Sequence, residues 1–74
     1  MDLNELRNEI NTIDDEILTL FRRRMEVAGQ VADYKRANGL PIYQPAREQA
    51  ILESVAARAG EIGGYAQVLF STLM

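Results

Sequence analysis

Arg24 and Lys35, eleven residues apart, are two cations spaced to work together. Eleven residues is close to three full helical turns, so on one helix both project from the same face, roughly 16 Å apart along the axis. Leaning toward each other, two long cationic side chains at that separation can hold a small dianion. Further along the chain, Arg47 and Glu48 follow a segment carrying Pro41 and Pro45. A guanidinium there can close the pocket by gripping a carboxylate in bidentate fashion. Glu48 can accept a hydrogen bond from a hydroxyl of the same ligand.

The element that must position the first two is a long apolar ladder. Leu3, Leu6, Ile10, Ile13, Ile17, Leu20, Val27, Val31 and Tyr34 recur at alternating intervals of three and four, a heptad seam on a single helix. The rung between Leu20 and Val27 is Arg24, a guanidinium that is costly to bury without an anionic partner. Such a helix of about 34 residues is about 50 Å long, whereas a compact globule of 74 residues has a radius of gyration of only about 11 Å. One molecule cannot cover the seam, and the reading is therefore a homodimer with a second copy alongside.

Composition narrows the chemistry. With 74 residues, 47% hydrophobic and 26% charged, the chain is expected to form one small domain whose core is marginal without a partner. It holds no cysteine and no histidine, which removes disulfides, thiolate zinc sites, the usual general base and the commonest metal ligand. A net charge of −3 and a pI near 4.8 argue against nucleic-acid binding. No apolar run approaches the roughly 20 residues of a membrane span, and no signal peptide is evident. The default expectation is a soluble cytoplasmic protein.

In chain order, Asp2 and Glu5 form a capping-box pattern that opens helix one, expected over about 3–37 with Asn38-Gly39 as its stop. Gly29 sits off the seam. Residues 38–44 read as a loop, in which Pro41 and Pro45 bias Leu40 and Gln44 away from helical backbone. Pro45 suits the first turn of helix two, expected over about 45–59 with Ile51, Leu52, Val55, Ala56 and Ala59 on one face and Gly60 as its stop. Gly63-Gly64 is taken as the end of a linker, and helix three is expected from about Tyr65, with Val68, Leu69, Leu73 and Met74 apolar. That pattern is unfinished at Met74, so the third helix is expected to be truncated.

A plainer reading of the charges stands beside the first. Arg22-Arg23-Arg24 can be a solvated basic cluster neutralised by Glu26 and nearby acids, and Lys35-Arg36 can be ordinary C-terminal cations on a helix dipole. Glu48 can likewise complement the dipole at a helix start. Only Arg24 resists, because its phase puts it in the seam.

The run Leu6-Arg7 with Ile10 and Asp14, then Arg24 and Lys35, then Pro41-Ile42 and Pro45 leading into Arg47-Glu48, resembles the all-helical chorismate mutases, a group that includes the isochorismate-pyruvate lyases. The resemblance covers nearly the whole chain. It implies an all-α fold of three helices, one long and two short, in an intertwined homodimer. It also implies rearrangement of chorismate to prephenate on the shikimate route to phenylalanine and tyrosine. Such a pericyclic shift needs no nucleophile, proton shuttle, metal or cofactor. In the family pattern Arg24 and a partner-chain Arg7 bind substrate carboxylates, Lys35 donates to the ether oxygen, and Arg47 and Glu48 line the site, Glu48 taking the ring hydroxyl.

Two departures accompany the resemblance. Gln44 stands where some relatives place an aspartate near the substrate hydroxyl, and its amide can still hydrogen-bond. A Gln or Glu that the family carries later on its third helix has no counterpart before Met74. The alternatives are a lyase using a similar pocket on isochorismate and a non-catalytic helical dimerisation or regulatory module, for which the seam suffices.

Overall fold

The computed structural model describes residues 1–74, with helices joined by turns and loops and no strand. It divides into two units, Met1–Ile42 and Tyr43–Met74. No helix is long and apolar enough to cross a membrane.

The first unit is helix α1, Leu3–Ala37, and the turn that ends it. Asp2 is its N-cap, in extended backbone, and its carboxylate accepts from the Glu5 N–H at 2.8 Å. That bond satisfies one of the four amide donors every helix start leaves without an intrahelical partner. At the other end Gly39 takes φ +66°, a left-handed conformation that penalises residues with a Cβ. The Gly39 N–H donates to the Arg36 carbonyl at 3.4 Å and the Leu40 N–H to the Lys35 carbonyl at 2.8 Å. Those are the paired bonds of a Schellman stop. The Asn38 side-chain amide adds a third, donating to the Tyr34 carbonyl at 2.8 Å.

Between its caps α1 contains no buried residue. Its seam lies open: Ile10 is 56% exposed, Ile17 55% and Leu20 61%. Leu18, Phe21 and Met25, which are off the seam, are exposed as well. Full burial of one such side chain is worth about 1.5–3 kcal/mol, and helical stability in proteins comes mainly from packing an apolar face rather than from propensity. The ladder therefore has the character of a surface that requires cover. Gly29 faces open space.

The second unit is a helical hairpin. Pro45 begins helix α2, Pro45–Ala59, where its missing N–H costs nothing. Gly60 closes α2 at φ +62°, a single 3₁₀ turn covers Gly60–Ile62, and helix α3 runs from Gly63 to Leu73. On α2, Val55 is buried and Ile51, Leu52, Ala56 and Ala59 are half-buried, the face its periodicity predicts.

Helix α3 departs from expectation in two respects. It starts at Gly63 rather than near Tyr65, so the two glycines are helical and not linker. Its inner face is Gly63, Ala66, Gln67, Phe70 and Leu73, while Val68 and Leu69 point outward. The cause is close packing. Gly63 lies so near α2 that a Cβ on it would come within 2.9 Å of the Ala56 carbonyl oxygen. Such an approach tolerates no side chain and sets the rotation of α3.

Gly63→Ala should accordingly destabilise this hairpin by about 1–3 kcal/mol, the usual cost of overpacking. Gly64→Ala, with nothing within 4 Å of its Cβ, should be neutral or stabilising by up to about 1 kcal/mol through helix propensity. Urea unfolding of both variants checks this. Equal midpoints would remove the packing account of where α3 begins.

Candidate active site

Arg24 and Lys35 stand out from the rest of α1 by their burial. Arg22 and Arg23 are exposed, as is nearly every apolar rung, yet Arg24 and Lys35 are half-buried, together with Ala32. Three turns of regular helix place the two cations on one face, as their spacing requires. The basic cluster thus divides: two members are exposed, and the one in the seam is half-buried.

The Lys35-Arg36 pair divides in the same way. Arg36 pairs with Asp33 at 2.6 Å, an exposed contact one turn apart with both side chains more than half in solvent. An ion pair of that kind contributes at most about 0.5 kcal/mol. Lys35 turns instead to the loop, its ammonium donating to the Ile42 carbonyl at 3.2 Å. The plainer reading therefore fits Arg36, whereas Lys35 is drawn toward the proline segment.

Gln44, Arg47 and Glu48 gather at the start of α2. Gln44 is the N-cap, and its backbone carbonyl accepts from the N–H groups of Arg47 at 3.0 Å and Glu48 at 3.2 Å. Its side chain makes no capping bond. Arg47 is exposed, and Glu48 is half-buried in the first turn, where a carboxylate also complements the helix dipole. Arg7 lies on α1 some 17 residues before Arg24, about 25 Å along the axis and beyond the reach of the Arg24–Lys35 face. Within one helix, then, Arg24 and Lys35 belong together and Arg7 does not.

One contributor escapes a reading of residue types, the main-chain carbonyl of Ile42. A carbonyl carries no signature in sequence. The available signal is Pro41, which stiffens the segment presenting it.

Comparison with known proteins identifies a family and several relatives of the chain. The family described as chorismate mutase type II matches residues 6–74. The T-protein of Haemophilus influenzae is 39% identical over 96% of this chain and 19% of its own length. The bifunctional chorismate mutase/prephenate dehydratase of Aquifex aeolicus is 40% identical over 85% of this chain and 17% of its own. The chorismate mutase of Methanocaldococcus jannaschii is 40% identical over 72% of this chain and 54% of its own. The chain thus spans less than a fifth of the first two relatives and about half of the third. No solved structure matches it. With a family match across nearly its whole length, this chain belongs to the chorismate mutase type II family.

Proposed function

We propose that this chain acts as a chorismate mutase, rearranging chorismate to prephenate in a homodimer with two shared sites. The observation that carries the reading is the pair Arg24 and Lys35, half-buried cations on one face of a helix whose apolar rungs are otherwise open. A pericyclic rearrangement asks for a flexible dianion held in its compact conformer. It also asks for cationic donors where negative charge grows on the breaking ether oxygen. Arg24 grips a carboxylate and Lys35 donates to that oxygen. Arg47 and Glu48 line the pocket, Glu48 accepting from the ring hydroxyl and the Gln44 amide standing beside it. Arg7 arrives from the second copy, because 25 Å or so of helix separates it from Arg24 in its own. No metal or cofactor enters the reaction.

The second copy lies antiparallel along the α1 seam, which places each Arg7 beside the other chain's Arg24 and Lys35. The product suits a cytoplasmic aromatic amino-acid route, and one relative's name joins a mutase to prephenate dehydratase in a single protein.

The test is product analysis by NMR with chorismate and isochorismate as separate substrates. It is run on this chain and on the natural polypeptide in which it occurs. Prephenate from chorismate, with isochorismate left intact, is the expected result. Pyruvate released from isochorismate would move the chain to the lyase branch. If a folded dimer neither binds nor converts either compound, α1 is a dimerisation module and its cations are surface groups.

A further inference from the structure

Lys35 is held at both ends by the same three-residue segment. Its backbone carbonyl accepts from the Leu40 N–H at 2.8 Å, and its ammonium donates to the Ile42 carbonyl at 3.2 Å. Pro41 lies between those two anchors. Its ring fixes φ near −65° and biases Leu40 toward extended backbone, so the spacing between the Leu40 N–H and the Ile42 carbonyl is stiff. The Schellman stop at Gly39 directs the chain back over the last turn of α1, where this closure becomes possible.

We propose that Leu40-Pro41-Ile42 is a clip that positions the Lys35 ammonium, with the Ile42 carbonyl as its anchoring acceptor. A free lysine side chain samples many rotamers, and ordering it at the moment of reaction is entropically unfavourable. Holding the ammonium on a rigid carbonyl performs that ordering beforehand. The catalytic consequence rests on the mutase reading above; the clip itself does not. Its effect belongs in kcat rather than KM, because it concerns a donor that strengthens its contact as charge develops on the ether oxygen. Ile42 and Pro41 are in this sense positioning residues that act through Lys35.

Lys35 is the chain's one lysine, so a ¹⁵N-labelled ammonium gives a single side-chain signal. Total synthesis, practicable at 74 residues, allows the Ile42–Tyr43 amide to be replaced by an ester, which weakens the Ile42 carbonyl as an acceptor and changes no side chain. Pro41→Gly loosens the same segment by a second route. Both variants should keep the helical circular dichroism of the parent. Both should show faster internal motion of the Lys35 ammonium in ¹⁵N relaxation. Each should lose about three- to tenfold in kcat, the scale of one hydrogen bond, with KM changed less than twofold. An ammonium signal indifferent to the ester would overturn the clip, whatever the activity. A mobile ammonium in the variants of a parent that turns over no chorismate would leave the clip standing and remove its catalytic consequence for this chain. Unchanged kcat with a mobilised ammonium in an active parent would remove the catalytic role.

Discussion

Arg24→Ala is expected to lower kcat/KM for chorismate by about 10²–10³-fold, the loss associated with one charge-directed donor in a preorganised site. Arg22→Ala and Arg23→Ala, at exposed positions of the same cluster, should change it less than about twofold, since surface charges away from the chemistry contribute little. The fold should survive in all three, because α1 loses no buried apolar side chain. A second substitution separates enzyme from scaffold. Arg24→Leu completes the apolar ladder, so it should raise the stability of the paired helices while abolishing chorismate binding. Steady-state kinetics, circular dichroism and thermal unfolding of the four variants against an active parent decide the matter. Unchanged turnover in a folded Arg24→Ala variant would return Arg24 to the solvated cluster.

The second large effect concerns how the site is assembled. Arg7→Ala and Lys35→Ala, prepared separately in an active form of the protein, should each give a nearly inactive homodimer. Unfolded and refolded together, they form mixed dimers in which Lys35 of one chain meets Arg7 of the other. Random pairing then restores roughly a quarter of all sites, given two-fold symmetry. The recovered activity should approach that fraction of the parent, with mixed dimers verified by mass spectrometry of differently labelled chains. Mixed dimers that form and remain inactive would refute the shared site and leave Arg7 a surface residue of α1.

These two experiments probe what a helix considered singly leaves open. The bounds of α1 and α2 were legible because their signals are local. Asp2 caps through a bond to Glu5, Gly39 adopts the left-handed turn that Asn38-Gly39 announces, and Pro45 occupies the first turn of α2. Each of those effects acts over three or four residues, within the range in which sequence neighbours are also spatial neighbours. The ladder is of the same kind: a three-four alternation is a statement about one helix face and needs no knowledge of what covers it.

The beginning of α3 was not legible, since Gly63-Gly64 reads as a linker until Ala56 is seen pressed against Gly63 from another helix. The fate of adjacent like charges was hidden for a related reason. Arg22, Arg23 and Arg24 differ only in rotation about the axis, and Arg36 and Lys35 only in which of two neighbours each side chain meets, Asp33 or the Ile42 carbonyl. Residue type and spacing by themselves determined the helices, their caps and the small set of cations worth considering. The folded chain decided the rotation of α3 on α2 and the carbonyl that holds Lys35, because each of these depends on contacts between atoms that periodicity does not encode.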